Sequence, residues 1–505
     1  MLPAMMAAHL SWLGADESFR LGATGSCTRA SGGPVGPMPE HAGDHTKGWL
    51  RPSGESRAMN VVVVCIDTLR WDYVGCYGHP EAVTPALDEF ARRATRFDAA
   101  YCASFPTVPM RMDALTGQVG WPVYGWRRLR PTDTTFVQCL SGAGYHTGLV
   151  HDTAHLVGAD LARDFAERVF IGPPPGWEAN RFRVECPVPR EHMRQNGVHF
   201  ITDRARTMHY RHEADWFVAR TMQAACEWLE DYSRRDRLLL WVDTFEPHED
   251  WMPPEHYVRM FSPDYRGADY SYPNYGYADR YAPHELERLR ARYRGEVALT
   301  DRWLGHLLRQ IEVLGRSDDT MVVVLSDHGM YLGEHDRVGK HTVDPDDPWP
   351  LYDQVARIPL LIRMPGQTHA GRVSALVQVA DLAPTILDAC GVRGPAMAGR
   401  SLMPLLGGSP KDVHEHVFTS CHSHTGEGRI DYLRSRITVT TPEWTLITGP
   451  PPGAGALYDR RRDPCQVRNR IGSYPEVARD LRVALIEFMR GCGADEEYIG
   501  EFARL

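Results

Sequence analysis

Ser326-Asp327-His328-Gly329 and the lysine that follows 12 positions after His328, Lys340, place a hard oxygen, an imidazole and one ammonium in a short stretch. An adjacent Asp and His suit a divalent ion, and Gly329 permits a sharp turn after them. The chain has only two other lysines, Lys47 and Lys411, its remaining cationic side chains being arginine. A lone lysine beside a metal-binding pair fits a point charge on an anion. Asp67, which ends the apolar run Val61-Val62-Val63-Val64-Cys65-Ile66, would complete a three-ligand site with Asp327 and His328. Thr107-Val108-Pro109-Met110-Arg111 starts a helix, with Thr107 where an N-cap would sit and Pro109 tolerated in the first turn. The orphan N–H groups and dipole of such a terminus favour an anion, and Arg111 one turn on could fork onto two of its oxygens. A hydroxyl such as that of Thr107 is a weak nucleophile until a metal stabilises its alkoxide. Each segment also has a plainer reading: a strand closing on a surface turn, a carboxylate capping a helix, a capped helix with a surface arginine.

The elements that must position these groups alternate. Buried strands are predicted over 60–66, 96–100, 146–150, 238–242, 321–325 and 359–363, from short β-branched apolar runs. Helices are predicted over 108–115, 215–232 and 284–314, and another from Pro85 with Thr84 as its N-cap. This alternation implies an α/β fold with a large, mostly parallel sheet between helices. Sites in such sheets lie at the carboxyl ends of the strands, where Asp67 and Asp327 fall. The segment 261–282, dense in Tyr, Pro, Asp and Gly, reads as a long loop over the site. Residues 1–58, rich in Gly, Pro, Ser and Ala, read as a disordered or mis-assigned extension, with Met59 as the start. The catalytic domain is drawn over 59–407. Residues 408–505 form a smaller α+β subdomain, with paired strands over 435–447 and a helix over 474–489.

Composition narrows the partners. A net charge of −9 argues against nucleic-acid binding, and no apolar run is long enough to span a membrane. Eleven cysteines, odd in number and without paired spacing, indicate reduced thiols and a cytoplasmic enzyme.

Thr107-Val108-Pro109-Met110-Arg111, followed by Leu115-Thr116-Gly117, resembles the sulfatase signature Cys/Ser-x-Pro-x-Arg…Thr-Gly. Thr84-Pro85-Ala86-Leu87-Asp88 is similar to the family's TPNLD helix, and Pro247-His248-Glu249-Asp250-Trp251 to its PHEPW loop. Asp327-His328-Gly329, Gly333-Glu334-His335, Lys340, Tyr352 and Arg357-Ile358-Pro359-Leu360 resemble a further ordered run. The resemblance covers about residues 60 to 490 and implies the sulfatase branch of the alkaline phosphatase superfamily. It implies that Asp67, Asp327 and His328 bind one divalent ion with Thr107 as a further contact and nucleophile. Arg111 would hold Thr107 and the anion, while His248 and Lys340 would contact the transferred group or protonate the leaving oxygen. His335 and His341 are secondary candidates, and Asp243 could cap its strand or join His248 in a second metal site.

The nucleophile position departs from the family pattern. Sulfatases oxidise a Cys or Ser there to formylglycine, whereas a threonine would give a ketone, so no formylglycine is expected. Threonine at this place resembles phosphodiesterases and phosphoethanolamine transferases. Thr68 follows Asp67 where many sulfatases carry a second Asp, and His328 replaces an oxygen or amide ligand. Both favour Mn²⁺ or Zn²⁺, with Ca²⁺ still open. The resulting expectation is a hydrolase of phosphate or phosphonate mono- or diesters using a covalent Thr107 intermediate on a small anionic substrate. The alternatives are a sulfuric ester hydrolase without formylglycine and a non-catalytic anion-binding descendant. An oligomer is compatible with the sequence.

Overall fold

The structure, a computed structural model, describes residues 58–190, 193–340, 347, 349–409, 412–421, 424–425, 429–430, 436–449 and 455–503. The proposed extension up to residue 57, and His341, lie outside them. Three strands at the centre of an eight-stranded sheet, Asn60–Ile66, Leu238–Thr244 and Thr320–Ser326, are buried at every position. Their sequences, NVVVVCI, LLLWVDT and TMVVVLS, are apolar with little alternation because helices cover both faces.

The order across the sheet is Gly371–Gln378, Thr95–Tyr101, Arg357–Arg363, Thr320–Ser326, Asn60–Ile66, Leu238–Thr244, His146–His151, Glu167–Phe170. Arg357–Arg363 alone runs antiparallel to both its neighbours. Its pairing with Thr95–Tyr101 shifts register between Ile358 and Leu360. Pro359 lies at that break and has no N–H for the ladder. The large, mostly parallel sheet read from the sequence is therefore present. The strands Glu167–Phe170 and Gly371–Gln378 at its two edges were not read, because half-exposed edge strands lack a continuous apolar run.

One face of the sheet packs on the helices Phe217–Asp231 and Pro283–Val313, through residues such as Val62, Val64, Met222, Leu299 and Leu304. The other face packs on the helix Thr107–Thr116 and on Leu382–Ala389. The helix Pro85–Ala91 begins where predicted, but Thr84 makes no side-chain cap bond. Its Oγ1 instead accepts from Gly75 N, and Asp301 of the long helix accepts from Ala86 N at 2.9 Å and Leu87 N at 2.8 Å. The cap comes from another element, which a local motif does not reveal.

The strands Val417–Cys421, Ile437–Thr440, Trp444–Thr448 and Ala456–Asp459 make a second sheet, followed by the helix Pro475–Gly491. Its edge strand is Ser104–Phe105, paired in parallel through Ser420↔Ser104 and Cys421↔Phe105. The residues just before Thr107 are thereby held by the C-terminal part of the chain. The segment expected to be a loop over 261–282 holds a short strand, Gly276–Tyr277, paired with Arg337–Gly339. It is fastened to the long helix where Asp269 accepts from Arg288 Nε at 3.1 Å and Nη2 at 2.8 Å, and from Arg292.

Candidate active site

Register accounts for the convergence of the three residues expected to hold a metal. Ile66 pairs with Ser326 in adjacent parallel strands, so the next residue on each, Asp67 and Asp327, emerges side by side at the carboxyl edge. The ligand atoms of Asp67, Asp327 and His328 lie within 4.8 Å of one another, and all three residues are buried. Thr68 has φ 61°, a rare value for a β-branched residue. In that conformation its N–H donates to Asp327 Oδ1 at 2.8 Å and its hydroxyl to Asp67 Oδ1 at 2.6 Å. Gly329 has a different role from the sharp turn expected. A Cβ there would lie 2.0 Å from Gln354 O and 3.0 Å from Arg70 Cγ, so the position needs glycine for close approach.

Thr107 is the first residue of its helix rather than its N-cap, which is Pro106, and no side-chain cap bond forms at this terminus. The Thr107 hydroxyl is therefore not committed to capping. Arg111, one turn on, donates from Nη1 to Thr107 O at 3.0 Å and to Asp327 Oδ2 at 2.7 Å, and from Nη2 to Asp67 Oδ2 at 3.2 Å. Its other edge is bidentate to Asp243, at 2.8 Å from Nε and 2.9 Å from Nη2. Asp243 also accepts from Thr153 Oγ1 at 2.7 Å and Trp241 Nε1 at 3.1 Å. Asp243 thus orients Arg111, a role the sequence reading did not assign. Among the described residues it joins no metal cluster with His248.

Charge and hydrogen bonding test whether a divalent ion fits. Asp67, Asp243 and Asp327 are each 0% exposed and converge on one guanidinium. Burial and the charge of Asp327 push the Asp67 carboxyl up. Burial also acts upward on Asp327, but His328, Arg111 and its bonds to Asp67 and Thr68 N hold it low. The neighbouring pair has opposed shifts, the signature of two carboxylates short of positive charge. His328 donates from Nδ1 to Gly329 O at 3.0 Å, while buried Nε2 has no hydrogen-bond partner among the described residues and lies 3.5 Å from Asp327 Oδ2. Burial lowers the imidazole to about 4, leaving that lone pair free near neutrality. Two carboxylates and an oriented neutral imidazole fit a divalent ion.

His248 and Lys340 meet through a residue not singled out from the sequence, Glu249. Lys340 Nζ is 3.2 Å from Glu249 Oε2, and His248 Nδ1 is 3.4 Å from the same oxygen. The His248 Nδ1–H donates to Glu249 O, so Nε2 carries the free lone pair of the neutral ring. Burial holds His248 well below the usual histidine range, against the opposing charge of Glu249. The field of Lys340 reaches both Asp67 and His328, tying the two halves of the site. His335 instead stacks on Tyr352, ring centroids 3.6 Å apart, away from the metal cluster residues.

A doubly covered α/β sheet with this strand-end cluster, taken with the family match that follows, is that of a hydrolase acting on phosphoric or sulfuric esters. A sequence model of the sulfatase family matches residues 59–392, and one of the N-sulphoglucosamine sulphohydrolase C-terminal region matches 346–490. The chain belongs to the sulfatase family. It is 25% identical to an N-acetylglucosamine-6-O-sulfatase of Bacteroides thetaiotaomicron, over 86% of each chain. It is 36% identical to the multifunctional alkaline phosphatase superfamily protein PehA of Trinickia caryophylli, over 25% of this chain and 24% of that one. In fold it is similar to the phosphonate monoester hydrolase of Agrobacterium radiobacter, with TM-score 0.69 and 20% identity over 86% of this chain and 95% of that one. A protein solved in complex with its substrate D-glucosamine-2-N,6-O-disulfate gives TM-score 0.65 and 19% identity, over 88% and 99%. Among the described residues no helix is long and apolar enough to cross a membrane.

Proposed function

We propose that the chain is a metal-dependent hydrolase of phosphate or phosphonate mono- or diesters that works through a covalent Thr107 intermediate. The observation that carries this reading is Thr107 itself: an uncapping hydroxyl at the head of a helix, on a residue whose oxidation could not give an aldehyde. A divalent ion held by Asp67, Asp327 and His328, with Thr107 as a further contact, would neutralise oxyanion charge and acidify the attacking hydroxyl. The imidazole in the donor set favours Mn²⁺ or Zn²⁺ over Ca²⁺, and no formylglycine takes part.

In the first step Thr107 Oγ forms a bond to phosphorus and the bond to the leaving oxygen breaks. The Thr107 proton ends on the leaving alcohol, with His248 Nε2 as its carrier. In the second step water attacks phosphorus, phosphate or phosphonate departs, and one water proton returns to Thr107 Oγ. Arg111 fixes Thr107 through its carbonyl, and Lys340 holds a non-bridging oxygen. The substrate is a small anionic ester, neither nucleic acid nor membrane is a partner, and the enzyme acts in the cytoplasm, consistent with free thiols such as Cys76, Cys186 and Cys465.

A second reading keeps the site and changes the ester to sulfate, and is supported by the sulfatase names of relatives that align with most of the chain. Hydrolysis of p-nitrophenyl phosphate, bis-p-nitrophenyl phosphate, a phenylphosphonate ester and p-nitrophenyl sulfate, with Mn²⁺, Zn²⁺ or Ca²⁺, separates the two. The proposal expects phosphorus-ester turnover with Mn²⁺ or Zn²⁺ that falls by about 10³-fold or more in Thr107→Ala. Turnover of the sulfate alone, or full activity in Thr107→Ala, overturns it.

A further inference from the structure

Glu249 is 1% exposed and gathers four groups, its neighbour His248 and three from other parts of the chain. Oε2 faces Lys340 at 3.2 Å and His248 at 3.4 Å. Oε1 accepts from Tyr275 and lies 3.3 Å from Arg194 Nη1. The Arg194 guanidinium lies 3.8 Å over the Tyr275 ring and donates to Tyr272 OH at 3.3 Å. Lys340 Nζ makes no hydrogen bond among the described residues beyond this ion contact, so its N–H groups remain for a ligand. A site that only had to bind an anion would not bury a carboxylate against its one lysine, because the like charge repels the ligand. A neutral acceptor would anchor the ammonium without that repulsion.

We propose that Glu249 is a positioning residue that supplies a counter-charge to the anion site. It holds Lys340 and His248 in place while cancelling enough of their charge for the anionic product to leave. Interactions that bind substrate, product and transition state alike do not speed turnover, and surplus attraction for the free oxyanion slows release. The inference rests on the reading of Lys340 as a contact of the transferred group.

The test is calorimetric titration of inorganic phosphate and of sulfate into Mn²⁺-loaded Thr107→Ala protein, without any ester, with Glu249 unchanged or replaced. Glu249→Gln, which keeps size and removes charge, is expected to tighten binding of the preferred anion by about tenfold or more. Glu249→Asp is expected to stay within about threefold of the parent. In the active enzyme, Glu249→Gln should lower kcat and KM together. A carboxylate that merely braced the loop would weaken anion binding when replaced, so unchanged or weaker affinity in Glu249→Gln overturns the inference. If that variant does not fold, Arg194→Met reads the same sign from the other oxygen: Glu249 is then less neutralised, and the anion binds about threefold or more weakly. Unchanged affinity there overturns it too. Lys340→Ala separates the two layers. A drop in affinity supports the underlying reading, and no drop removes it and this inference together, whatever ester the enzyme hydrolyses.

Discussion

Arg111 is 1% exposed and the shared partner of three buried carboxylates. Arg111→Ala would leave them without their guanidinium, and removing one partner from buried charges costs about 3–5 kcal/mol. Urea unfolding should show that loss, and added Mn²⁺ or Zn²⁺ should recover part of it. A variant as stable as the parent in chelator would contradict this charge balance. Gly329→Ala tests the packing behind His328. The new Cβ would meet Gln354 O at 2.0 Å, and backbone oxygen cannot yield as a flexible side chain does. We expect a loss of about 1–3 kcal/mol together with weaker divalent-ion binding, both measurable by thermal shift with and without metal. The convergence of Asp67, Asp327 and His328 was legible because each follows a readable apolar run, and strand ends in this architecture converge. Asp243 and Glu249 were not, because their roles depend on partners far along the chain: Arg111 and Thr153 for one, Arg194, Tyr275 and Lys340 for the other. An acidic residue at a strand end or in a loop looks like any other until its neighbours are folded around it.

Elements reach the site through few fastenings. Asp269 binds the segment before Tyr275 to the long helix through Arg288 and Arg292. Burial acts upward on its carboxyl, but the bonds from the two arginines outweigh it and hold the group down at about 2. Because the folded value is depressed, the unfolded chain binds more protons between about pH 4 and pH 2. The stabilisation is therefore full above the unfolded value and is lost as pH falls through that window. Asp269 is partly exposed, so solvent screening reduces its contribution to about 1–2 kcal/mol. Asp269→Asn should remove this amount at pH 7 and flatten that part of the acid unfolding curve. An acid limb identical to the parent's would show the fastening to be idle. Strand and helix centres were readable from periodicity, and Pro283–Val313 differs by one residue at each end from the predicted helix. The edge strands, and the trans cap by Asp301, were hidden because they arise from pairing rather than local pattern.

At the scale of the molecule, the two sheets are sewn together. Beyond the Ser104–Phe105 strand, Thr419 Oγ1 donates to Cys102 O at 2.6 Å, Arg460 Nη2 to Tyr101 OH at 2.6 Å, and Tyr352 OH meets Tyr458 OH at 3.1 Å. A protein ending at residue 407 would leave the Ser104–Phe105 edge unpaired and the apolar residues beneath the second sheet uncovered. We expect it to be insoluble or to bind the dye ANS, and to lack esterase activity even when metal is supplied. A monomeric, active 59–407 protein would refute this. The change in character after Gly407 was visible in the sequence. That a two-residue strand from the first quarter of the chain would close the later sheet was not, since so short a segment has no periodicity to read.

That stitch has a consequence in time. Phe105 leaves the ribosome more than three hundred residues before Cys421, its partner in the second sheet. At cellular synthesis rates the interval is on the order of tens of seconds. Throughout it the turn that presents Thr107 lacks the strand that fixes it, so a nascent chain already carries Asp67, Asp327, His328 and Lys340 and still has no fixed position for Thr107. On the proposed reading, completion of the polypeptide is the step that sets Thr107 in place, and a chain cut short by a stalled ribosome would lack it.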